Sequence, residues 1–157
     1  MASWDEVSRA APELSAAVQR IFDAHIHKVL ATLRRDGSPR VSGTEVSFRD
    51  GEVWLGSMPD ALKARDLQRD PRCALHSSPS DAEMTGGDAK IAGRAVEITD
   101  PAALEAMRSD EQPPGPFHLF RVDVNEVVLV TLGGDPPDHL VIESWHEGRG
   151  VRRVERR

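Results

Sequence analysis

The stretch VLATLRRDGSPRVSGTEVSFRDGEVWLGSMPDALKARDLQRDPRCAL, residues 29–75, decides the fold. It reads as two strands joined at Arg35-Asp36-Gly37-Ser38, a third strand behind Asp50-Gly51, and then a short helix carrying Lys63. Asp-Gly between β-rich runs is a strong hairpin signal, because Gly accepts the positive φ that a type I′ or bulged turn demands. A three-stranded meander that delivers a helix follows. The helix is expected over 60–69, with Asp60 or Ser57 accepting bonds from the orphan amides of its first turn. Lys63 then sits in or near that first turn, where the macrodipole disfavours a cation by up to about 1 kcal/mol. Free amides and a lysine together make a phosphate site. The plainer reading is a solvated lysine offset by Asp60 and Asp66.

Before the meander, 3–9 is expected to be a poorly ordered or short helical lead, within a lead of 1–11. Residues 12–24 form a better helix, because Leu14, Ala17, Val18, Ile21 and Phe22 recur at helical spacing and would cover a barrel end or a sheet. His25-Ile26-His27 would place two imidazoles on one side of a strand, but further ligands are not evident nearby and no metal is expected. The strands are expected over 28–33, 39–48 and 52–57. Alternation in the second sets Val41, Gly43, Glu45 and Ser47 against Ser42, Thr44, Val46 and Phe48. Small polar residues at Ser42, Gly43 and Thr44 fit the close approach of another backbone or a flat ligand, and equally a bulge or barrel corner.

After Asp70-Pro71, a fourth strand is expected over 72–77, a Ser/Gly/Pro-rich loop over 78–88 and a fifth strand over 89–98. A helix over 102–108 follows, capped at Thr99 or Asp100, and then a Pro-rich connector over 109–116. Residues 117–132 form a strand pair or one long strand bent around Asn125-Glu126, and 140–145 a last strand. The expected fold class is mainly β with short helices, an antiparallel barrel of about six or seven strands. One domain over 1–157 is expected, ending in a basic tail over 147–157.

The chain has 157 residues and a formal charge of −6, with Lys and Arg mixed among Asp and Glu, which argues against nucleic acid as the main partner. The single cysteine, Cys73, excludes an intrachain disulfide and reads as a buried structural thiol in a reducing compartment. No apolar run is long enough for a membrane span or a signal peptide, so a cytoplasmic location without membrane contact is expected. No triad, paired carboxylate or metal cluster stands out. Hydride-transfer cofactors need none, since they carry the chemistry themselves.

In order along the chain, Ala31-Thr32-Leu33, Asp36-Gly37-Ser38-Pro39, a strand ending at Ser57, Leu62-Lys63-Ala64-Arg65-Asp66-Leu67 and Asp70-Pro71-Arg72 resemble the core signature of the pyridoxamine 5′-phosphate oxidase-like split β-barrel family. The resemblance covers about residues 20–146. It implies FMN or the deazaflavin F420 as cofactor, a small-molecule substrate, and a homodimer with cofactor sites at the subunit interface. It implies that Lys63 and Ser57 contact the cofactor phosphate, that Ser42, Gly43 and Thr44 pass beside the ring, and that Ser47 falls near the phosphate site. Ile142-Glu143-Ser144-Trp145 and Arg152-Arg153-Val154-Glu155-Arg156 are similar to the oxidase's ending, which implies that Trp145 and Arg149 or Arg156 reach a cofactor of the partner subunit. The oxidase carries arginine at the place of Ser42, lysine at Ser47 and Ser-Arg where this chain has Ala61-Leu62. Most of the charge that would hold a phosphate is thus replaced. Val154 stands where the oxidase has histidine, which argues against oxidation of pyridoxamine phosphate itself. The expectation is an FMN- or F420-dependent oxidoreductase, with a non-catalytic flavin-binding or haem-handling split barrel as the alternative.

Overall fold

In the computed structural model, which describes residues 1–79, 81–110 and 112–157, six strands close into an antiparallel barrel that two further strands extend. The strands are β1 (His27–Leu33), β2 (Pro39–Arg49), β3 (Glu52–Ser57), β4 (Arg72–His76), β5 (Asp88–Ile98), β6 (His118–Gly134), β7 (Pro137–His146) and β8 (Gly150–Arg156), and the helices are α1 (Trp4–Ala10), α2 (Pro12–Asp23), α3 (Leu62–Arg69) and α4 (Pro101–Met107). The sheet runs β3-β2-β1-β4-β5-β6-β7-β8, and pairing of β3 with β6 closes the barrel. Ser80 and Glu111 lie outside the described residues, within the expected loop 78–88 and connector 109–116.

Both Asp-Gly turns form as read. Gly37 takes φ +83°, and Asp36 Oδ1 accepts from the Ser38 amide at 2.9 Å and the Ser38 hydroxyl at 2.6 Å, an Asx arrangement that fixes the β1–β2 register. In that register Thr32 faces Arg40, Leu30 faces Ser42 and Lys28 faces Thr44. Residues 117–132, read as a pair or a bent strand, belong to one strand, β6. Its ladder with β5 steps from Ala92–Glu126 to Gly93–Val124, leaving Asn125 as the extra residue of a bulge. Gly93 is required there, because a Cβ would lie 2.1 Å from the Asp123 carbonyl oxygen.

At the two ends, the structure chooses between alternatives in one case and corrects the expectation in the other. Of the poorly ordered or short helical lead expected over 3–9, the helix forms: Ser3 and Glu6 make a reciprocal capping box on α1, Trp4 and Val7 are buried, and Ala2 exchanges both backbone bonds with Val124. The C-terminal segment is not a tail but β8, paired with β7 from Leu140–Arg156 to His146–Gly150. Its weak apolar signal reflects its edge position, where arginines and Glu155 face water and guard the open ladder.

The core runs through the barrel and out under α1 and α2. Leu14, Val18 and Phe22 of α2 are buried as the helical spacing requires, and Phe48 lies between Trp4, with ring centroids 4.8 Å apart, and Phe22, at 5.9 Å. Cys73 is buried within the core, and burial pushes its thiol up to about 12.

Candidate functional site

Strand β2 changes neighbours along its length. Residues 39–45 pair only with β1, whereas 46–49 pair with β3, so among the described residues the first half of β2 has no second strand beside it. Helix α3 sends side chains into this split. Its Lys63 Nζ donates to the Gly43 carbonyl at 2.7 Å, and Arg40 Nε donates to its Asp66 at 2.6 Å.

α3 starts later than its sequence promised. Asp60 takes φ +60° and lies before the helix, the N-cap is Ala61, and no side chain caps it; neither Asp60 nor Ser57 accepts a first-turn amide. The hydroxyl of Ser57 instead turns to the Met58 carbonyl at 3.5 Å, and Asp60 pairs with Arg65 at 3.0 Å. Lys63 is the second helical residue, half-buried. Burial pushes its ammonium below the ordinary lysine range, with the Glu45 carboxylate opposing.

Asp66 does not serve Lys63. It is 3% exposed and accepts from Thr32 Oγ1 at 2.9 Å, Arg40 Nε at 2.6 Å and Arg69 at 2.9 Å. Burial alone would raise its carboxyl; the bonds from Arg40, Arg69 and Thr32 outweigh that and hold it below the usual range. Arg69 also donates to the Leu33 carbonyl at 2.6 Å, so one carboxylate ties α3 to both strands of the first hairpin. Sequence reading missed this group because the Asp66–Arg69 spacing resembles an ordinary exposed helix pair. The signal was available: once the Asp36-Gly37 turn sets the register, Thr32 and Arg40 stand opposite each other on one face.

The other candidate residues divide by strand parity. Ser42 and Thr44 share the inward face with Val46, Thr44 being 4% exposed, whereas Gly43 and Ser47 share the exposed outward face. The β1–β2 ladder runs unbroken past Gly43, so it is not a bulge, and a Cβ there would meet nothing within 4 Å. Lys28, opposite Thr44, is 5% exposed and donates to the Ile26 carbonyl at 3.1 Å; burial lowers its ammonium, opposed by Asp23 and Glu45. Ser57 ends β3, opposite His118. Ser47 faces Trp54 in the β2–β3 ladder, and Arg149 lies in the exposed turn between β7 and β8; neither hydrogen-bonds to Lys63. Trp145 is 5% exposed, and its ring is part of the core.

On β1, β4 and β5 the outward residues Ala31, Ala74 and Ala92 stand in one cross-strand row that ends at Glu126 of β6. They line a cleft of about 260 Å³ with Val29, His76 and Lys90. Among the described residues no group of three His, Cys, Asp or Glu converges as metal ligands, and no helix is long and apolar enough to cross a membrane.

The family model described as pyridoxamine 5′-phosphate oxidase matches residues 14–131. The chain belongs to this oxidase family. That match spans the whole meander, α3 and most of β6. Solved structures with the same fold include a pyridoxamine 5′-phosphate oxidase-related, FMN binding protein from Nostoc punctiforme. It is 16% identical, with 94% of this chain and 96% of that one covered and a TM-score of 0.65. PhzG from Burkholderia lata, solved in complex with tetrahydrophenazine-1-carboxylic acid, is 15% identical over 96% of this chain and 91% of its own, with a TM-score of 0.63. General Stress Protein 26 from Bacillus anthracis is 15% identical over 78% of this chain and 94% of its own, at 0.60. These identities establish a shared fold. No curated protein matches the chain.

Proposed function

We propose that this member of the pyridoxamine 5′-phosphate oxidase family is an FMN- or F420-dependent oxidoreductase acting on a small planar substrate. The observation that carries the reading is the half-buried Lys63 ammonium at the uncapped start of α3. An oxyanion there would meet a cation and first-turn amides that no side chain occupies, and it would relieve the desolvated charge. The donor set therefore fits one phosphate group. Lys63 and Ser57 would hold it, the backbone of Ser42, Gly43 and Thr44 would flank the ring along β2, and Ser47, Trp145 and Arg149 would complete the surroundings. The open space above Gly43 suits a flat group lying against backbone. When bound, the isoalloxazine or deazaflavin supplies hydride transfer, while the protein orients it and excludes water.

The same reading takes the chain as a cytoplasmic homodimer with the cofactor at the interface. Small outward side chains at Ala31, Ala74 and Ala92 support a close approach of two sheets. A monomeric sedimentation coefficient at micromolar concentration would remove the dimer.

The second reading, a non-catalytic flavin-binding or haem-handling protein, is favoured by Ser42, Ser47 and Leu62, where the resemblance implies positive charge in the oxidase itself. Recording the visible spectrum of the purified protein and titrating it with FMN and with F420 separates the two. Binding of neither at micromolar levels overturns the oxidoreductase. Lys63→Ala weakens the preferred cofactor by about 1.5–3 kcal/mol if the charge-assisted contact is made. Unchanged affinity returns Lys63 to an ordinary surface cation.

A further inference from the structure

We infer that the arginine-lined groove between the β1–β2 turn and α3 is a binding site for a small polyanion, a molecule carrying two or more phosphate or carboxylate groups. This solvent-open groove of about 790 Å³ is lined by Arg34, Arg35, Arg40, Arg65 and Arg69, with Asp36 and Asp66 among them. On a chain of net charge −6, five arginines line it from the β1–β2 turn, the start of β2 and one face of α3.

The two carboxylates offset two of the five positive charges and leave the lining net cationic. Asp66 is buried and its oxygens are taken by Thr32, Arg40 and Arg69, and Asp36 accepts from the amide and hydroxyl of Ser38. Several arginines are also held in place. Arg34 donates to the Pro39 carbonyl at 2.6 Å, Arg69 to the Leu33 carbonyl, and Arg40 is fixed through Nε, which leaves its terminal nitrogens without an acceptor among the described residues. Arg35 makes no ion pair among the described residues, and Arg65 pairs with Asp60 through one arm. Pre-positioned forks with unspent donors suit bidentate oxyanions, and their mutual repulsion is relieved when an anion enters. None of these arginines is a residue assigned above to the cofactor phosphate, so the inference does not rest on the proposed cofactor.

The test is calorimetric titration of the full chain at low salt with inorganic pyrophosphate and, separately, with citrate. Saturable binding that weakens with added NaCl is expected. Tighter binding of pyrophosphate assigns a phosphate ligand, and tighter binding of citrate a polycarboxylate. The double variant Arg35→Glu/Arg65→Glu, at two exposed positions, should lose about tenfold or more in affinity while its thermal unfolding stays close to the parent. The control Arg152→Glu, at an exposed position on β8 away from these arginines, should bind within about twofold of the parent. Absence of saturable binding by either probe overturns the inference. So does parental affinity in the double variant, or a loss in Arg152→Glu as large as in the double variant, which would reduce the attraction to net charge.

Discussion

One part of the core is sealed by rings, and the split beside β2 is bridged by charges. Under α1 and α2, Trp4, Phe22 and Phe48 interlock with nothing polar among them except the Trp4 indole, which donates to Gln19 at 2.9 Å. Across the split, α3 is tied to the first hairpin by Asp66, Arg40, Arg69 and Thr32, and leaves a cavity beside them. The difference teaches a division of labour. Apolar packing is dense and non-directional, so it stabilises but leaves no opening. A hydrogen-bonded ion cluster holds elements apart at set distances, and the gaps between them can take a ligand. It also costs more to disturb at one partner than its net contribution would suggest.

The sharpest way to break this contrast is at the rings. Phe22→Ala is expected to cost about 3–5 kcal/mol, read as a lowered urea midpoint, because the transfer loss is joined by a cavity that three packed elements cannot refill. A cost below about 1 kcal/mol would mean that the helices merely rest on the barrel.

Asp66→Asn comes next, at about 3 kcal/mol, since it leaves Arg40 and Arg69 facing a neutral amide in a buried place. This loss carries a pH signature that the ring variant lacks. The folded carboxyl lies below its unfolded value, so its contribution is complete above the unfolded pKa and disappears as pH falls through the folded one. The stability gap between parent and Asp66→Asn should therefore be constant near neutrality and narrow from about pH 4 downward. A gap independent of pH would show that the cluster does not depend on charge.

The smallest effect sharpens the comparison from the opposite side. Ala61→Ser gives α3 the side-chain cap it lacks and should stabilise the fold by about 0.5–1 kcal/mol. If the first turn serves an anion, the same change should weaken cofactor binding, because the hydroxyl competes for the amides. Gain in stability without loss of affinity would detach the helix start from any ligand.

The residues also show where reading the chain succeeds. Asp36-Gly37 and Asp50-Gly51 dictate their turns locally, so β1 to β3 and their register were legible, as was the buried face of α2. β8 was not, because an edge strand exposes both faces and loses the alternation that marks burial. The cap of α3 was misplaced because Asp60 is drawn to Arg65 in a left-handed turn. Asp66 was read as a surface acid, for its burial depends on Thr32 and Arg40 arriving from another hairpin. The packing of Trp145 into the core was not legible either, since it depends on segments that meet only in the fold.

What the sequence determined by itself was the meander, its helix, and the position of Lys63 within the family signature, because turns and periodicity act over a few residues. What only the tertiary structure decided was the split beside β2 and the company it assembles. Which carboxylate is buried, which arginines are free to meet an anion and which lysine is desolvated depend on distant segments meeting across the split. Burial and electrostatics at a site are properties of that assembly, and short-range pattern does not contain them.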